Sequence, residues 1–94
     1  MTVAATIRQK LQTAFAPSEL VVEDDSAKHA GHSGARPGGE THFSVRLVSE
    51  SFAGQSRVER QRRVYAALAE LITPTGIHAL ALTTLTPAEV WQEH

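Results

Sequence analysis

Between Thr41 and Thr83 the chain reads strand, helix, strand, and this order restricts the fold more than any other feature. THFSVRLV, from Thr41 to Val48, alternates. Phe43, Val45 and Leu47 fall on one side and His42, Ser44 and Arg46 on the other, the period of a half-buried strand. Ser56 to Ile72 carries the strongest helical pattern. Ser56 and Glu59 form an S-x-x-E start signal, and Val58, Tyr65, Leu68, Ala69 and Ile72 recur at helical spacing with Val64 and Leu71 beside them. Pro74 and Gly76 close the segment. His78 to Thr83, HALALT, alternates again through Leu80 and Leu82. A strand–helix–strand connection within one sheet is right-handed and makes its two strands parallel.

The remaining elements fit around that unit. Thr2 to Phe15 reads as a helix capped by Thr2, with Ile7, Leu11 and Phe15 spaced by four and Ala4 and Ala14 beside them. Pro17 forbids its continuation. ELVVEDD, Glu19 to Asp25, is a short strand antiparallel to the one that starts at Thr41. Ser49 to Gln55 is a turn or a single helical turn ended by Gly54. Thr86-Pro87-Ala88-Glu89 is a second start signal, opening a short helix with Val90 and Trp91. The order α-β-β-α-α-β-α predicts an α+β fold, a three-stranded mixed sheet covered by helices on one face. At 94 residues, 1–94 forms a single domain with one modest core.

Composition excludes several function classes. The formal net charge is -1, so no bulk electrostatic pull toward nucleic acid or anionic membrane exists, and any such binding needs a local patch. No run of 18 apolar residues is present, so no transmembrane helix and no membrane partner are expected. MTVAATIRQKLQTAF lacks the pattern of a secretory signal, which makes the cytoplasm the expected location. The absence of cysteine removes disulfides, thiol nucleophiles and thiolate metal sites from this chain alone.

No nucleophile elbow, P-loop, G-x-G-x-x-G or H-E-x-x-H is found, and the chain is not expected to be an enzyme. Glu23, Asp24 and Asp25 read as a soluble strand terminus. Arg57, Arg60, Arg62 and Arg63 could lie along phosphates. They do not form one stripe, however, and Glu59 with Arg63 makes an i,i+4 pair on an otherwise solvated face. The histidines carry more. AKHAGHSGARPGGETHF, Ala27 to Phe43, holds His29, His32 and His42. The flexible Gly-rich loop 26–40 is long for a hairpin connection, as functional loops often are. His29 and His32 are three apart, and imidazole suits borderline metals. His42, on the polar face of a strand, reads as structural. His78 starts the third strand, an accessible place on a rigid element that suits a ligand. If the second and third strands are parallel, the loop and His78 share one sheet edge. Two or three imidazoles without cysteine do not close a good iron–sulfur site; they could make a three-His zinc site, but no obvious catalytic base attends it. The ligand shortage points to a site shared with a molecule that supplies thiolates.

E-T-H-F-x-V at Glu40 to Val45, F-x-G-x-S-x-x-x-R-x-R at Phe52 to Arg62 and I-H-A-L-A at Ile77 to Ala81 resemble the BolA family, and the likeness runs from the first helix to Trp91. It is to the branch with histidine in the loop. The resemblance implies a class II KH-like fold and partnership with monothiol glutaredoxins, with a 2Fe–2S cluster bridged between the two proteins. The glutaredoxin cysteine and a bound glutathione would give two thiolates. This chain would give His78 and a loop histidine, for which His29 and His32 compete. No cluster is expected on the chain alone, which should be a monomer or weak homodimer. Histidine in place of thiolate raises the potential of such centres, and ligation needs neutral imidazole, so acid weakens it. The alternative implied by the family is a DNA-binding transcriptional regulator of morphology and stress response, acting through Arg57, Arg60, Arg62 and Arg63 on the helix 56–72. The GXXG loop of nucleic-acid-binding KH domains is not matched: Gly31 to Gly34 is G-H-S-G, between two strands.

Overall fold

The computed structural model describes residues 2–25, 42–73 and 76–92. Its elements run α1 (Val3–Phe15), β1 (Glu19–Asp24), β2 (His42–Val48), a 3-10 turn (Glu50–Phe52), α2 (Arg57–Ala67), a second 3-10 turn (Ala69–Leu71), β3 (Ala79–Leu85) and α3 (Pro87–Gln92). The sheet order is β1-β2-β3, with β1 antiparallel and β3 parallel to the central β2. The expected α+β architecture with a mixed sheet is therefore the observed one.

Local chemistry sets the boundaries. The Thr2 side chain accepts a hydrogen bond from the Ala5 amide at the start of α1. Ala16 takes the left-handed conformation at φ 44° and closes the helix by donating its amide to Gln12. Beside that end, Ser49 is buried at the end of β2 and donates its hydroxyl to the Phe15 carbonyl at 2.7 Å. Gly54, at φ 78°, turns the chain into α2, where Ser56 and Glu59 complete a reciprocal capping box. Thr86 and Glu89 make the same pair of bonds, at 2.7 and 3.2 Å, at the start of α3.

The core lies between the two longer helices and the inner sheet face. It joins Ile7, Leu11 and Phe15 of α1 to Val64 and Leu68, to Val22, Phe43, Val45 and Leu47 of the sheet, and to Phe52 and Ile77. Burying a side chain of this kind contributes about 1.5–3 kcal/mol. The opposite face, with Val21, His42, Ser44, Arg46, Ala79, Ala81 and Thr83, is partly or fully accessible.

The helix after Gly54 departs from expectation. It does not run unbroken to Ile72; α2 ends at Ala67, and a 3-10 turn follows. The stripe expected on Val58, Tyr65 and Ile72 faces outward, at 54%, 43% and 38% exposure. The inward positions are Arg60, Val64 and Leu68, an i, i+4, i+8 row. An arginine fits that row because its donors are met inside. Its Nε donates to the Gln55 carbonyl at 3.0 Å, and its Nη1 donates to the Thr84 carbonyl at 3.2 Å and to Glu89 at 2.6 Å. The expected Glu59–Arg63 pair is also replaced. Glu59 turns back to the Ser56 amide, while Arg63 donates to the Ser51 carbonyl and Gln55 Oε1, both at 2.8 Å, and lies 4.9 Å over the Phe15 ring.

Candidate functional site

Backbone connectivity brings three chain points to one edge of the sheet. Asp24 pairs with Phe43, and the Asp25 amide donates to the His42 carbonyl at 2.7 Å. The Ser44 hydroxyl donates to the Asp25 carboxylate. Both ends of the segment 26–41 are thus tied together where β2 begins. In the parallel ladder His42 pairs with Ala79, which puts His78 at the same edge.

His78 is exposed between two fixed residues. Ile77 on one side is 3% exposed, a member of the core, and its amide donates to the Leu71 carbonyl at 2.9 Å. Ala79 on the other side enters the ladder. The imidazole is therefore presented by a backbone held at both neighbours, as a ligand on a rigid element should be. Gly76 belongs to this support. A Cβ there would stand 2.2 Å from the Leu71 carbonyl oxygen and 2.8 Å from the Thr73 hydroxyl. Gly76→Ala is expected to destabilise the protein by about 1–3 kcal/mol, since displaced backbone must make room. Urea unfolding measures this, and an unchanged midpoint would refute the tight approach.

His42, expected from its place on the strand to be structural, stands beside His78. The two ring centroids are 6.3 Å apart with planes inclined at 48°. Alternation along β2 could place His42 on the outer face, but only the β2–β3 register shows what it faces. His29 and His32 lie outside the described residues; the structure fixes only the anchor points of the segment that carries them.

Among the described residues, no group of three or more His, Cys, Asp or Glu could hold a metal ion. The chain has no cysteine. A 2Fe–2S centre takes four ligands, thiolate or a mixture of thiolate and imidazole. The described donors fit a partial, imidazole-only contribution to such a centre and not a self-contained site.

The basic set divides. Arg60 is buried and held by Gln55, Thr84 and Glu89, Arg63 is half-buried with bonds to Ser51 and Gln55, and Arg57 and Arg62 are exposed. Arg57 lines an open depression of about 340 Å³ with Gln55, Arg60, Thr83, Thr84, Leu85 and Glu89. Glu89 faces Arg60 there. The hydrogen bond from Arg60, and after it the bond from the Thr86 amide, hold its carboxyl at about 2, below the ordinary 4.5.

Comparison with known proteins adds to this geometry. The family model for BolA-like proteins matches residues 11–89. Protein BOLA1, chloroplastic, of Arabidopsis thaliana is 48% identical over 88 residues, covering 92% of this chain and 54% of that protein. BolA-like protein 1 of Homo sapiens is 45% identical over 92 residues, 98% of this chain and 63% of that one. The DNA-binding transcriptional regulator BolA of Escherichia coli is 41% identical over 92 residues, 98% of this chain and 82% of the regulator. The chain thus spans little more than half of the Arabidopsis relative. Among solved structures, BolA1 from Arabidopsis thaliana superposes with a TM-score of 0.83 at 45% identity, covering 95% of this chain and 96% of that one.

Proposed function

The chain belongs to the BolA family, and on that premise we propose that it is a non-enzymatic partner of a monothiol glutaredoxin, sharing a 2Fe–2S cluster in iron–sulfur trafficking or iron and redox regulation. The observation that carries this reading is the exposed His78 at a rigid strand start, on the edge where the segment bearing His29 and His32 begins and ends. His78 and one of His29 or His32 would serve as this chain's ligands. The glutaredoxin cysteine and glutathione would complete the set. When bound, a cluster with imidazole ligands supplies one-electron chemistry at a higher potential than an all-thiolate centre. This chain's part is to present neutral imidazole at a fixed position and to leave the thiolates to its partner.

Mixing the protein with a monothiol glutaredoxin, glutathione, iron and sulfide, and recording visible absorption and circular dichroism, tests the reading. The expected spectra differ from those of glutaredoxin alone, and His78→Ala makes the shared cluster labile. Spectra identical to glutaredoxin alone would remove the proposal.

The name of the Escherichia coli relative favours a second reading, DNA binding through α2. Of its four candidate arginines, Arg57 and Arg62 face solvent, Arg63 is half-buried and bonded to Ser51 and Gln55, and Arg60 is buried. This reading requires an affinity that falls steeply with salt and is lost in Arg57→Ala/Arg62→Ala, with His78→Ala harmless.

A further inference from the structure

We propose that His42 and His78 form a two-imidazole clamp for a borderline divalent cation that arrives with its other ligands already attached. The site belongs to this chain by itself. It concerns a mononuclear ion and stands or falls independently of cluster sharing.

A metal–imidazole bond of about 2.0–2.1 Å puts the ring centroid roughly 3 Å from the ion, so two imidazoles on one tetrahedral ion have centroids roughly 5 Å apart. His42 and His78 stand at 6.3 Å with planes inclined at 48°, not stacked. Closing the difference of about 1 Å requires only side-chain rotation, because the second torsion of histidine is broad. The exposed His78 has room to make it.

The backbones beneath the rings do not need to move. His42 begins the central strand, between a core phenylalanine and the Asp25 amide bonded to its carbonyl. His78 follows the buried Ile77 and precedes Ala79, the ladder partner of His42. Ala79 is exposed and ends at Cβ, and Ala81 beyond it is also exposed, so the sheet face beside the pair carries no bulky side chain on β3. Two imidazoles held this way make the second metal bond an intramolecular event, which raises affinity over either alone.

Donor number selects the ligand class. Among the described residues no third His, Cys, Asp or Glu joins the pair, and the clamp as proposed takes the ion's remaining ligands from outside. Imidazole favours copper, zinc, nickel and cobalt over magnesium or calcium. The fitting ligand is such an ion carrying a chelator or held by a second molecule.

Cupric iminodiacetate, which keeps positions open for two imidazoles, is the probe. Its binding to the full chain is followed by titration calorimetry and by the nitrogen couplings in the copper paramagnetic resonance spectrum. One equivalent is expected, with two imidazole nitrogens coordinated besides the amine nitrogen of the probe. His42→Gln and His78→Gln should each lower affinity roughly tenfold or more, as a chelate loses its second arm. His29→Gln/His32→Gln should keep affinity within about twofold, with both couplings. Absence of binding, equal binding by all variants, loss in the loop variant, or loss in only one of the two single variants would each overturn the clamp. A shared cluster that fails to form in the glutaredoxin experiment would leave this titration unaffected.

Discussion

Phe52→Ala is expected to lower the unfolding free energy by about 3–5 kcal/mol, the range for deleting a fully buried aromatic ring. The ring is 0% exposed although it sits in a three-residue turn between β2 and α2. It meets the Phe15 ring at 5.1 Å, and the guanidinium groups of Arg60 and Arg63 lie 5.8 and 5.7 Å from its centroid. Removing it opens a cavity where the end of α1, the turn and α2 join, and takes the aromatic face from two cations. Small domains are stable by about 5–15 kcal/mol, so the variant should be largely unfolded well below the wild-type midpoint in urea. A loss under about 1 kcal/mol would show that the turn does not depend on this ring.

Arg60→Ala is expected to cost about 2–3 kcal/mol, consistent with losing charged hydrogen bonds and leaving an interior carbonyl without that donor. The arginine is 9% exposed and joins Gln55, Thr84 and Glu89, so its loss loosens α2 from the end of β3 and from α3 together. Glu89 gives this variant a pH signature. Its carboxyl sits at about 2 in the folded protein against an ordinary 4.5. A lowered carboxyl value contributes stability that is full above about 4.5 and lost as pH falls toward 2. The wild-type protein should lose stability through that window, and Arg60→Ala should lose less, because the main cause of the lowering is gone. Urea unfolding at a series of pH values reads both slopes. Equal slopes would separate Glu89 from Arg60. In this account Arg60 acts on folding, so Arg60→Ala at high pH should shift unfolding before any binding property.

The same arginine marks where sequence reading reached its limit. Alternation in THFSVRLV, the capping box at Ser56 and Glu59 and the Thr86–Glu89 start signal were legible because each depends on residues a few positions apart. The inward face of α2 was not, because a rule that seeks apolar residues assigns Val58 and Tyr65 inward and Arg60 outward. The partner that makes Arg60 admissible in the interior is Glu89, far along the chain. His78 was legible as a strand-start histidine after a Pro/Gly turn. His42 was not, since its significance comes from its ladder neighbour Ala79, a relation between strands that no local pattern records.

The bond from Asp25 to the His42 carbonyl has a bearing on how such a protein could change over evolutionary time. It closes the hairpin at its neck, so residues between the two anchor points can be added, removed or exchanged without reopening the sheet. Doubling the length of a connection costs only about 0.6 kcal/mol in chain entropy. The histidine after Ile77 has no such freedom, since moving it means moving the core beneath it. His78 is thereby fixed in place by the core, whereas the connection that ends beside it at His42 can change in composition without disturbing the sheet.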